Sequence, residues 1–161
     1  MKIDFKLQGL EKFTKMINNI NDQEAHIGFL GEEKNTRTEG EITNADLAAT
    51  HHFGSRTKNL PPRSPFIGFK MTEKTDKINS VVGKSLQSSL SKGTLTKADV
   101  TQALKKGGIA GENLIDEAFD TGGFGTWPPI SQNTAKKKGN DKILIETDQL
   151  HKSRVSKVVN K

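Results

Sequence analysis

The sequence predicts an α+β domain with one long amphipathic helix, several shorter helices and long loops. Three observations carry that expectation. Residues 3–29 change hydrophobic period twice, from alternation to helical spacing and back, as a strand–helix–strand unit does. Residues 65–90 keep apolar side chains at intervals of threes and fours, enough for several helical turns. Two stretches, 31–41 and 55–65, follow neither period. A chain of 161 residues suits a single domain over 1–161, since it can bury roughly two-thirds of its unfolded surface. Two domains would be cramped.

The elements follow in order. Ile3, Phe5 and Leu7 alternate with polar neighbours, the pattern of a half-buried opening strand. After Gly9, Leu10, Phe13, Ile17 and Ile20 share one helical face, opposite lysines and asparagines. Ala25, Ile27 and Phe29 alternate again and give a second strand that ends at Gly31. Residues 31–41 hold no apolar side chain and two glycines, so a long solvated loop is expected, either mobile or ordered by a partner. Asn44 offers a cap, Ala45, Ala48, Ala49 and His52 trace one face of a short helix, and Gly54 can close it.

From Ser55 to Pro65, three prolines and two arginines give a stiff, extended backbone without regular pairing. Ser64 and Pro65 then read as a cap and a first helical residue. They open a helix to about Leu90, with Ile67, Met71, Ile78, Val82, Leu86 and Leu90 inward. A further helix starts near Thr96 with Val100, Ala103 and Leu104 inward. Gly107-Gly108 should break or loosen it, at ~1 kcal/mol per glycine relative to alanine. Leu114, Ile115, Ala118 and Phe119 resume the period up to Gly122-Gly123. Beyond the only tryptophan, Trp127, and Pro128-Pro129, Ser131 can cap a short basic helix through Lys138. Ile143 to Ile145 form a short apolar run, Asp148 starts a turn, and Ser153 to Val159 reads as a final strand.

Composition narrows the function. Hydrophobic residues make up 32%, or about 41% once the 15 glycines are added, below the ~45–50% of an ordinary globular chain. A thin core follows, with surface meant for a partner. The net charge of +6 is mild and spread along the chain, unlike an arginine-rich nucleic-acid arm. The absence of cysteine excludes disulfides, zinc–thiolate sites and thiol nucleophiles. No apolar run approaches the ~18 residues of a membrane span, and Met1-Lys2-Ile3-Asp4 does not read as a signal peptide. A soluble chain made in a reducing compartment is expected, without membrane contact.

The candidate chemistry is sparse. His51-His52, with Asp46 upstream, is the most tempting pair, but adjacent helical side chains point about 100° apart and do not share one metal without distortion. The glycine pairs lack the lysine and the strand-then-helix context of a phosphate loop. Glu32-Glu33 lie in a polar stretch, where nothing raises a carboxyl pKa towards neutrality. No catalytic, cofactor or metal residue is assigned, and no enzyme is expected. Lys136, Lys137 and Lys138 are either a solvated helix face or a grip on phosphates, since such contacts need only charge. Partner contacts are expected in three places. One is the stiff strip of Asn59, Leu60, Pro61, Pro62, Arg63 and Phe66. The second is the loop bearing Glu32 and Glu33, and the third is Trp127, which reads equally as a core anchor or an interface hot spot.

Four blocks add a resemblance. They are NADLAATHHFG (44–54), NLPPRSPF (59–66), Trp127-Pro-Pro-Ile-Ser with Thr134 and Lys138, and ILIETDQLHKSRV (143–155). In this order they resemble the tailed-bacteriophage virion morphogenesis proteins: the head–tail joining, neck and tail-completion proteins related to that of phage Mu. The sequence departs from the pattern in three places. Asp148 stands where the family usually has glycine, His52 where it usually has glutamate, and Ser64 is inserted before Pro65. The resemblance implies a small antiparallel sheet packed by a long helix. It further implies a structural virion protein, assembled in the bacterial host cytoplasm into a hexameric ring at the head–tail junction. Its partners would be copies of itself, the head connector or adaptor, tail-tube or tail-terminator proteins, and genomic DNA in the lumen. It implies no catalytic residues. The alternative is a basic DNA-binding protein acting through phosphate contacts.

Overall fold

The computed structural model describes residues 8–30, 42–63, 73–145 and 148–161. Helix α1 (Gln8–Asn21) leads into strand β1 (Gln23–Gly28), and α2 (Asn44–Phe53) follows. Two long helices, α3 (Thr75–Leu90) and α4 (Lys97–Asp120), form the body. The short helices α5 (Gln132–Lys138) and α6 (Gln149–Lys152) precede the closing strand β2 (Val155–Asn160). β1 and β2 pair antiparallel, from Gln23 opposite Asn160 to Gly28 opposite Val155. The fold is α+β, a small antiparallel sheet packed by a long helix, as expected.

The helix against the sheet is α4, not the predicted helix at 65–90. α4 packs on both strands with one face and on α3 with another. Its start is set by Thr96, whose hydroxyl accepts from the Asp99 amide while the Asp99 carboxylate accepts from the Thr96 amide, a reciprocal cap. Thr96 also holds the Asp99 carboxyl below its ordinary value. The helix that ends at Leu90 begins at Thr75, after an interruption at Lys74, and has no fully buried residue. The proposed start at Ser64-Pro65 lies outside the described residues, as does the opening strand Ile3–Leu7.

Gly107-Gly108 neither break nor loosen α4; the helix runs through them. They are packing sites. A Cβ on Gly107 would lie 2.5 Å from Val82 of α3, one on Gly108 2.5 Å from the Ser156 hydroxyl of β2, and one on Gly111 2.6 Å from Ile27 of β1. The small residues let α3 and the sheet approach the α4 backbone, which offsets the helix penalty of glycine. Lys74 and Lys77 bind the two oxygens of Glu117 at 3.1 and 3.2 Å, and Lys74 also sits 4.3 Å from the Phe124 ring centroid.

The C-terminal half of α4 carries the core. Ile115 and Ala118 are fully covered, and Phe119 packs with Ala48, Trp127 and Leu150. Trp127, 6% exposed, meets Phe119 edge-to-face at 5.7 Å between centroids. Its place is the core; in the single chain it offers no partner surface. His151 stacks on Phe119 and bonds Asp116 at 2.7 Å and Asp148 at 3.0 Å, while Arg154 pairs with Asp116. These contacts fasten α6 and the start of β2 to α4.

Candidate functional site

The site is an open cleft of about 610 Å³ between α2, the segment after it, and the turns and short helices of the C-terminal third. α2 supplies one wall. Its cap is Thr43, not Asn44: the Thr43 hydroxyl accepts from the Asp46 amide, and the Asp46 carboxylate accepts from the Thr43 amide at 3.1 Å. The same contacts hold the Asp46 carboxyl below its ordinary value. Asn44 is instead buried in the first turn, beside Ala48 on the inner face. The predicted face holds only in part. Ala48 is buried, Ala45 and His52 are half-buried, and Ala49 is exposed, while Leu47 and His51 turn towards the cleft.

Gly54 ends α2 with φ 75°, and a Cβ there would lie 2.9 Å from both the Leu60 carbonyl and the Pro62 nitrogen. Only glycine allows that return. The following segment is therefore not the unpaired extended strip expected. Ser55 and Leu60 exchange amide–carbonyl bonds of 2.9 and 2.8 Å around a turn with Asn59 at φ 49°. The prolines stiffen the arm that comes back. At its end the Arg63 amide donates to the His51 carbonyl at 2.7 Å and so lays the arm along the end of α2.

Arg63 is the distinctive group. It is 4% exposed. Among the described residues its guanidinium reaches only the Pro61 and Pro128 carbonyls, both at 3.5 Å, the long limit of a hydrogen bond, and its Nε has no partner there. Burial pulls its pKa below the usual arginine value. Among the described residues no carboxylate pairs with it. At the rim stand Lys58, exposed, and Lys138, whose ammonium donates to the Lys142 carbonyl at 2.6 Å. Among the described residues the one acid in the lining, Asp148, is occupied by its own helix: His151 at 3.0 Å and Lys152 at 3.1 Å. Desolvation pushes the Asp148 carboxyl up, but these bonds outweigh it and hold it below its ordinary value. Apolar walls from Leu60, Pro61, Ile130 and Leu150 complete the cleft.

Asn59, Leu60, Pro61, Arg63 and Lys138 of the predicted site residues therefore meet here. Pro62 faces a shallower hollow on the other side of the turn, with Phe53 and Arg56. Lys136 and Lys137 are exposed on α5 and do not line the cleft. Glu32, Glu33 and Phe66 lie outside the described residues. Two features went unread in the sequence. Lys58 precedes the strip by one residue, and Phe53, 77% exposed at the last position of α2, is an aromatic next to a helix-closing glycine. The histidine pair does not converge: His51 lines the cleft, whereas His52 lies edge-on to Phe53 at 4.7 Å. Among the described residues no group of three or more His, Asp or Glu side chains is placed to hold a metal ion. No protein-family model matches the chain, and no curated protein or solved structure is detectably similar to it.

Proposed function

We propose that this chain is a structural subunit of a tailed-phage virion that closes with copies of itself into a ring at the head–tail junction, joining the head connector to the tail tube. One observation carries the reading. The four sequence blocks that resemble the morphogenesis proteins are scattered over residues 44–155, yet each contributes to one cleft: Leu47 from the first, Arg63 from the second, Ile130 from the third and Leu150 from the fourth.

Asp148 adds support. It stands where the family usually carries glycine, and its backbone has φ 60°, the left-handed region that glycine enters freely. The thin core is consistent with the same reading, because Phe53 and Ile109 are 77% and 57% exposed, and Leu90, Ile17 and Ile20 are also uncovered. Apolar surface of this kind is buried when subunits associate. The test is mass spectrometry of purified particles of the phage encoding the chain, joined to an electron cryo-microscopy image of their neck. A ring of density fitted by this fold supports the reading; particles that lack the chain contradict it.

The DNA-binding alternative rests on the exposed Lys136 and Lys137. It predicts affinity for duplex DNA that falls steeply with salt.

A further inference from the structure

A buried arginine without a counter-ion needs a reason. Its guanidinium stays ionised at any physiological pH and loses hydration when covered, so such groups are normally matched by a carboxylate. Arg63 is 4% exposed, has two 3.5 Å carbonyl contacts and a partnerless Nε, and lines an open cleft. Lys58 adds a second cation without an ion pair among the described residues; Lys138, at the rim, donates to the Lys142 carbonyl. Among the described residues the only acid in the lining is bound by His151 and Lys152. The cleft thus holds an arginine fork placed by the Pro61 and Pro128 carbonyls, with no carboxylate paired to it among the described residues, between aliphatic walls.

We propose that this cleft docks an acidic peptide segment of a partner polypeptide, with Arg63 and Lys58 receiving a carboxylate and the Leu60–Ile130–Leu150 walls an adjoining aliphatic side chain. The fork of a guanidinium matches the two oxygens of a carboxylate. A recessed guanidinium between apolar walls suits an extended peptide better than a duplex, whose phosphates need an exposed row of charge. The net charge of +6 disfavours another copy of the chain as the source and favours an acidic partner. The proposal rests on the cleft geometry and stands or falls separately from the virion reading.

The test is a titration of the full-length, 15N-labelled chain with a short peptide of alternating glutamate and leucine, alongside its glutamine–leucine counterpart, inorganic phosphate and a short DNA duplex. The glutamate peptide is expected to move amide resonances of residues 47–63 and 129–150 at about 1 mM or below, with the glutamine peptide at least about tenfold weaker. Lys58→Gln, an exposed change that leaves folding alone, should weaken binding several-fold. Arg63→Met should abolish binding while leaving Tm unchanged or raised, because it removes an unmatched charge. A purely structural arginine would lower Tm instead, and that result contradicts the proposal. Equal binding of the two peptides would make the cleft merely apolar and overturn it. Phosphate or DNA shifting the same resonances as strongly would make it a phosphate site, which overturns the peptide assignment. Dissociation of a pre-existing oligomer by the glutamate peptide would identify the occupant as a second copy, and equally overturns it.

Discussion

The two ends of α4 are built on different principles. Around its N-terminal half and middle, α3 and the two strands pack at Gly107, Gly108 and Gly111, the helix is capped by its own Thr96–Asp99 pair, and no described non-glycine residue has a positive φ. Around its C-terminal half, short helices and turns carry every non-glycine residue with positive φ among the described residues: Asn59, Phe124, Leu144 and Asp148. The unmatched buried arginine lies there too. Strain and uncompensated charge persist where the surroundings over-determine them, and such places are where function concentrates. The contrast makes the cleft end the candidate functional region.

The largest expected effect lies at the strained end. Gly123 has φ 70°, and an added Cβ would sit 2.1 Å from the Trp127 ring. Gly123→Ala combines a left-handed penalty of ~1–2 kcal/mol with overpacking of ~1–3 kcal/mol. Urea unfolding should register a loss of about 3 kcal/mol. A loss under about 1 kcal/mol would mean that Trp127 is not the anchor of this end.

Smaller changes sharpen the contrast within the body. Gly83 in α3 has open space around its Cβ position, so Gly83→Ala should raise stability by about 0.5–1 kcal/mol through helix propensity alone. Gly108→Ala gains the same propensity but drives into Ser156 and should be net destabilising by about 1 kcal/mol. Opposite shifts in Tm are expected. The same sign for both would show that α4 and β2 are not in close contact.

At Asp148, Ala and Gly variants lose the same contacts to His151 and Lys152, yet only glycine relieves the left-handed backbone. Asp148→Gly should therefore be more stable than Asp148→Ala by about 0.5–1 kcal/mol in thermal melts. The reverse order would remove the link between this position and the glycine of the resembling family.

The smallest effect is in acid. Hydrogen bonds from Lys74, then Lys77, hold the Glu117 carboxyl below its ordinary value, and Thr43 and Thr96 do the same for Asp46 and Asp99. A carboxyl with a lowered folded pKa adds stability that is complete above its unfolded value, about 4, and is lost as pH falls through the folded one. Stability should be flat near neutrality and decline below about pH 4, with Glu117→Gln showing a shallower decline in urea melts. These groups keep much of their contact with solvent, so the slopes are small and shrink with salt.

The same division governs what was legible in the sequence. Helical spacing of Val100, Ala103, Leu114, Ile115, Ala118 and Phe119 marks the face of α4 that is buried, and Ser131 caps α5 as its position suggests. These are local signals. The continuity of α4 through Gly107-Gly108 was not legible, because the reason lies in Val82 and Ser156, distant in the chain. Thr43 took the cap from Asn44 because Asp46 stands at the reciprocal spacing while Asn44 is drawn into the interior. The turn at Ser55–Leu60 defeats a reading of proline as mere stiffness: the prolines fix the returning arm, and Gly54 makes the return possible. Arg63 was visible as part of a partner strip, but that it is buried and unmatched is a property of the assembled cleft alone.

The proposed ring would cover the bare Phe53 and offset the thin core by burying apolar surface between copies of the chain. Multi-angle light scattering of the purified full-length chain over a broad concentration range tests it most directly. A single discrete mass at a multiple of 17.7 kDa is the expected result, as a closed ring requires. A mass of 17.7 kDa persisting at the highest concentration would contradict the account.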